Sequence, residues 1–259
     1  NLPKVIDRLK ALKEKIFTFN EHHLILSCSY EMLKELESKN YFNLNQLPTL
    51  KTSPWQFETP LILPSSQIRL ISSQVAFNVE AFSTISYIHP YAAALTIASV
   101  LFEHKTLHPR IREQGGAYGA NATFSTKMGH FYFLSYRDPH IYGTRNYFHE
   151  AVDQLCRGKI SAQELEEAKL TILQDLDSPV SPENRALIAY GCLRSQKTKE
   201  MRQEFRESLL NATVNDVKYI VEKELKPKLA QGIFISFANQ ELINNENVGL
   251  QNPLPVFSI

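Results

Sequence analysis

Residues 90–104 constrain the fold more than any other stretch. They read PYAAALTIASVLFEH, which is apolar nearly all round at helical spacing. A helix of that kind has no face to offer water, so the rest of the chain must cover it on every side. Thr96 and Ser99 interrupt the apolar run, which is too short to span a bilayer. Just upstream, Val75, Phe77, Val79 and Ala81 alternate with Ala76, Asn78, Glu80 and Phe82, the period-two signature of a strand. A buried helix beside a half-buried strand predicts helices layered on a sheet.

The flanking elements fit that expectation. Strands are predicted over 67–83, 120–126, 130–136 and 232–237, with Lys127-Met128-Gly129 linking the middle pair as a hairpin. A short helix is predicted over 107–113, stopped by Gly115-Gly116. Phe148, Val152, Leu155 and Cys156 share a helical face that Gly158 ends, and Ser161 with Glu164 forms a capping box for the next helix. Further helices open at Ser181-Pro182 and at Thr213 with Asp216, and the Lys/Glu-rich helices of 195–207 and 215–228 read as solvated faces. Residues 1–40 read helix, strand (24–28), helix. The C-terminal run from Val214 repeats that order, which predicts two copies of one domain type. The fold class expected is α+β, a mainly antiparallel sheet packed against several helices and preceded by the tail of another such domain. The boundaries expected are 1–40 for the tail, 41–66 for a linker holding Pro48, Pro54, Pro60 and Pro64, and 67–259 for the domain. A start at Asn1 rather than Met predicts a piece of something longer.

Composition removes several function classes. At 43% hydrophobic, 21% charged and a net charge of +1, the 259 residues can build a core but show no electrostatic footprint for nucleic acid. No signal peptide or membrane span is read. Cys28, Cys156 and Cys192 are isolated and odd in number, which predicts reduced, buried thiols in a cytoplasmic or organellar-matrix compartment rather than a secreted protein. Eight histidines are present, but neither HExxH nor HxxEH occurs. His104 and His108 are four apart, and the break expected at Lys105-Thr106 speaks against a shared helix face. No metal site is expected in this chain.

Chemistry concentrates in RIREQGGAYGANATFS, 110–125. A helix bearing Arg110 and Arg112 ends in two glycines, and Tyr118 follows among small residues that let another backbone approach. Arg112 and Tyr118 can both donate hydrogen bonds to a carbonyl oxygen; a helix cap with a packed tyrosine is the plainer reading of the same residues. Downstream, Tyr136-Arg137-Asp138 ends a strand and reads as an internal Arg–Asp pair fixing the turn at Pro139, with a substrate-facing role as the alternative. Ser135 and Asn121 are candidate lining residues.

The two motifs RxREQGGAYG and FxFLSYRDP (131–139) resemble the C-terminal half of the pitrilysin (insulinase) family of metallopeptidases, M16, in its presequence-protease branch. The resemblance covers roughly 67–240. It implies four copies of one α+β domain in two clamshell halves, with zinc held by an HxxEH helix plus a distal Glu in the first domain. Here the corresponding helix is AAALTIAS, 92–99, without a ligand-type side chain. The resemblance therefore implies no cofactor in this chain, zinc in the N-terminal half, and a chain inactive alone. The partners implied are the N-terminal catalytic half and short unfolded peptides. Arg112 and Tyr118 match a family pair that reaches the substrate near the scissile bond, with Gly116, Ala117 and Asn121 as substrate-binding neighbours. The alternatives are a non-catalytic structural or assembly subunit of the same fold, or a stand-alone peptide-binding module.

Overall fold

The structure is a computed structural model describing residues 2–16, 23–46, 65–126 and 128–258; the linker prolines lie outside these. In chain order the helices are α1 (Leu2–Ile16), α2 (Tyr30–Ser38), α3 (Ala92–Phe102), α4 (Tyr142–Arg157), α5 (Ala162–Leu176), α6 (Pro182–Arg194), α7 (Lys199–Asn211), α8 (Val214–Ile220) and α9 (Gln240–Asn247). The strands are β1 (Gln67–Leu70), β2 (Ala76–Ser83), β3 (Gly119–Ser125), β4 (His130–Asp138), β5 (Ile233–Ala238) and β6 (Val256–Ser258). The chain divides into two compact units, Asn1–Ile62 with Pro179–Gln196, and Leu63–Ser178 with Lys197–Ile259.

In the first unit α2 opens on Ser29, whose side chain accepts the Met32 N–H. Residues 23–29 form no strand, contrary to the sequence reading. Leu24, Ile25 and Leu26 stay exposed, and the regular elements described in this unit are helical, so its described residues offer no sheet edge to complete a strand's hydrogen bonds.

The second unit holds a six-stranded sheet in the order β3-β4-β2-β5-β1-β6. The β3–β4, β4–β2 and β2–β5 pairs are antiparallel, and β5–β1 and β1–β6 are parallel. Helix α3 lies in the core, with nine of its eleven residues buried, as its all-round apolarity demands. Phe102 meets Phe131 and Phe133 edge-on, and Phe133 stacks on Phe148 of α4 at 5.3 Å.

Two features depart from expectation. Helix α3 does not break at 105–106 but runs on in π register over Glu103–Glu113. A π turn carries Pro109 inside the helix, and Gln114 N–H reaches back five residues to the Pro109 carbonyl. His104 and His108 therefore share one helix, with ring centroids 6.2 Å apart. In β2 the buried set is Ala76, Asn78, Glu80 and Phe82, so two polar side chains face the core while Phe77, Val79 and Ala81 face outward.

Candidate functional site

The local fold around Tyr118 begins with the end of the π-helical stretch. A side chain at Gly115 would meet the Ile111 carbonyl oxygen at 2.6 Å, so only glycine fits there. Gly116 adopts φ +78°. The Gly116 and Ala117 N–H groups then donate to the Arg112 and Ile111 carbonyls at 3.1 and 3.0 Å. This resembles a Schellman closure, each bond one residue wider, as the π register requires. The chain reverses within three residues and delivers Tyr118 to the start of β3.

This geometry separates the two arginines. Arg110 pairs with Gln114 and Glu150 and lies over the Tyr147 ring. Arg112 is exposed and has no ion pair among the described residues. Tyr118 is 62% exposed, yet it makes three contacts with Tyr136 and Arg137 of β4. Its N–H donates to the Arg137 carbonyl at 3.3 Å, its ring centroid lies 5.3 Å from that of Tyr136, and the Arg137 guanidinium carbon sits 5.7 Å from its centroid. Gly119 stands opposite Tyr136 in the β3–β4 register, and a Cβ there would lie 2.3 Å from the Tyr136 ring. The missing side chain is what lets that ring lie across β3.

The remaining sequence candidates divide. Gly116 is exposed beside Tyr118, and Asn121 is half-buried on the outward face, its side-chain amide donating to Glu103 at 3.4 Å. Ala117 is buried in the core, 4% exposed, and seats the start of β3. Ser135 is also buried. The expected Arg137–Asp138 pair does not form, because Arg137 is the extra residue of a β-bulge: Tyr136 pairs with Phe77 and Asp138 with Ala76, so Arg137 stays on the outward side while Asp138 turns inward. Arg137 faces outward with φ +50°, a left-handed backbone that costs a non-glycine residue roughly 1–2 kcal/mol. Asp138 faces inward, fully buried, and takes four donors: Ser135 Oγ at 2.5 Å, Thr144 Oγ1 at 2.7 Å, the His140 N–H at 2.9 Å and Asn78 Nδ2 at 3.3 Å. This polar knot fixes the end of β4. Sequence reasoning missed it because its members are spread from Asn78 to Thr144.

Around Tyr118 the outward face of the sheet is apolar and half open. In register across it lie Gly119, Tyr136, Phe77 and Phe237, and one row on, Asn121, Leu134, Val79 and Ile235. Val79, Tyr136 and Phe237 are each more than a third exposed. A zinc ion does not fit here. Helix α3 offers no ligand, and no three His, Cys, Asp or Glu side chains converge among the described residues.

The PreP C-terminal domain family model matches residues 68–235. The chain belongs to that family. The mitochondrial presequence protease of Kluyveromyces lactis is 41% identical over 155 residues, 59% of this chain and 15% of that protein. That of Saccharomyces cerevisiae is 34% identical over 232 residues, 87% of this chain and 23% of that protein. The chain thus spans less than a quarter of the length of these relatives. Among solved structures, a protease from Helicobacter pylori superposes with a TM-score of 0.59 at 16% identity, covering 83% of this chain and 53% of that one. An M16 peptidase inactive domain from Pseudomonas fluorescens gives 0.56 at 16% identity, covering 82% and 52%. These two share the α+β fold. The family match covers Arg112, Tyr118 and the Asp138 knot.

Proposed function

We propose that this chain is the substrate-holding, zinc-free C-terminal portion of a zinc metallopeptidase that cleaves short unstructured peptides. Tyr118 supports this reading most strongly. Its ring is anchored by Tyr136 and Arg137, yet 62% of the residue is exposed at the rim of an open apolar sheet face. A core tyrosine would hide its ring, whereas this one keeps most of it in the open while Tyr136 and Arg137 of β4 contact it. Peptide-bond hydrolysis places negative charge on the carbonyl oxygen, and a fixed phenol O–H aimed there stabilises it as an oxyanion donor. Arg112, exposed and without an ion pair among the described residues, supplies a guanidinium for a neighbouring backbone carbonyl of the peptide. Gly116 and Asn121 flank that path, and Ala117, buried in the core, contributes only by seating the start of β3. The sheet face gives extended peptides an apolar wall.

In this reading zinc and its activated water come from an N-terminal catalytic half, with residues 1–40 as the end of a preceding domain and 41–66 as the connector. The described cysteines are free and no described helix is long and apolar enough to cross a membrane. The names of the relatives point to a mitochondrial setting. The test is steady-state kinetics of the intact protease bearing Tyr118→Phe or Arg112→Ala, on a short unfolded peptide. The first variant is expected to lower kcat and the second to raise KM more than it lowers kcat. Wild-type kinetics in both would reduce this segment to scaffold.

A further inference from the structure

The backbone of Arg137 is in the left-handed region, where an arginine is rare, and its side chain has no ion pair among the described residues. Strain of this kind persists only where the surroundings enforce it, and the enforcing group is next in sequence. Asp138, fully buried, draws in Ser135, Thr144 and Asn78 side chains and the His140 N–H. With Asp138 tied inward opposite Ala76 and Tyr136 paired with Phe77, Arg137 is the extra residue of a β-bulge and is pinned outward. What it holds is Tyr118, through two contacts from one residue. The Arg137 carbonyl accepts the Tyr118 N–H at 3.3 Å, and the guanidinium lies over the Tyr118 ring at 5.7 Å.

We propose that Arg137 is a positioning residue for Tyr118. The buried Asp138 knot stores the backbone strain that places the guanidinium over the phenol ring and so fixes where its O–H points. This rests on the reading of Tyr118 as the oxyanion donor. Arg137 itself touches no reacting atom in this scheme. Its contribution is orientation, which a cation over an aromatic face provides at exposed sites at the level of about two- to fivefold.

The experiment is a double-mutant cycle in the intact protease, using Arg137→Gly, Tyr118→Phe and the pair, with Arg137→Lys as the conservative variant. Glycine suits the left-handed backbone and keeps the carbonyl, so Arg137→Gly removes the side chain with its guanidinium while leaving the backbone contact to Tyr118, and is expected to melt no lower than wild type. We expect its kcat to fall about two- to fivefold with KM within about twofold. Arg137→Lys should recover part of that loss. In the Tyr118→Phe background, Arg137→Gly should cost nothing more, because no O–H remains to be aimed. A further loss in that background would mean Arg137 contacts the peptide directly and would overturn the proposal. So would wild-type kcat in Arg137→Gly, a lysine variant as slow as the glycine one, or a melt that falls in step with kcat. If Tyr118→Phe alone keeps wild-type kcat, the oxyanion reading fails and this inference with it. If Tyr118→Phe is slow and Arg137→Gly is not, only this inference fails.

Discussion

Replacing Glu80 with glutamine tests how the polar core of the sheet is held. Glu80 lies on the inward face of β2 and its side chain is fully buried. One carboxylate oxygen accepts Arg145 Nε and Nη2 at 3.0 and 2.9 Å, and the other lies 2.9 Å from His149 Nε2. Both partners stand on α4, and the same helix brings Thr144 to Asp138, so this carboxylate helps clamp α4 to the sheet. Removing one member of a buried ion pair costs about 3–5 kcal/mol where the partner is left stranded. Arg145 and His149 keep 26% and 36% of their side-chain surface in water, so part of that penalty is relieved. The expected loss is about 2–3 kcal/mol. For a folded unit of this size each kcal/mol moves Tm by about 2–4 °C, which gives a drop of about 4–12 °C. Thermal denaturation of the chain, followed by far-UV circular dichroism or calorimetry, reads it directly. His149→Gln should cost less than Glu80→Gln, since it leaves the two Arg145 bonds in place. A Glu80→Gln chain melting within about a degree of wild type would show that the buried pair contributes no net stability.

Two smaller perturbations probe other parts of the unit. Glu164 is held below the usual carboxylate range by the Lys105 ammonium and then by the Ser161 N–H. Its contribution is therefore complete above the unfolded-state value near ~4.3 and disappears as pH falls through the depressed folded value. Between about pH 5 and 3 the Tm of Glu164→Gln should fall less steeply than that of wild type, and equal slopes would contradict the assignment. Gly119→Ala puts a methyl into the Tyr136 ring; because that ring is 37% exposed it can swing away, so the cost should stay at or below about 1 kcal/mol. The displaced ring should nonetheless lower the activity of the intact protease, and unchanged kinetics in the folded variant would show that Tyr136 does not support Tyr118.

Much of this architecture is legible in the sequence wherever the signal is local. The Ser161–Glu164 capping box, the β3–β4 hairpin, the two-glycine stop before Tyr118 and the burial of α3 all follow from residues within a few positions of one another. What is not legible depends on distant partners. Alternation along β2 defines two faces but not which is inward, and Asn78 and Glu80 are tolerated in the core only because Ser135, Asp138, Arg145 and His149 arrive from more than 50 residues away. Arg137 and Asp138 are adjacent and oppositely charged, yet a β-bulge at Arg137 sends them apart. The apolar run at 24–28 reads as a strand but finds no sheet among the described residues of its unit. The short β6 gives almost no periodicity and is defined by its parallel pairing with β1. The open sheet face beside Tyr118 likewise emerges only from the register of four strands.

The central claim is that Tyr118 offers its hydroxyl to the reaction rather than to the fold. The most direct measurement is kcat of the intact protease carrying Tyr118→Phe, on a short unfolded peptide, alongside its thermal melt. The substitution removes one O–H and leaves the ring against Tyr136 and under Arg137. The account predicts a kcat lower by about tenfold to a thousandfold, the range of a single oxyanion donor, with an unchanged melt. Wild-type kcat, or a Tm that falls in parallel with activity, would contradict it.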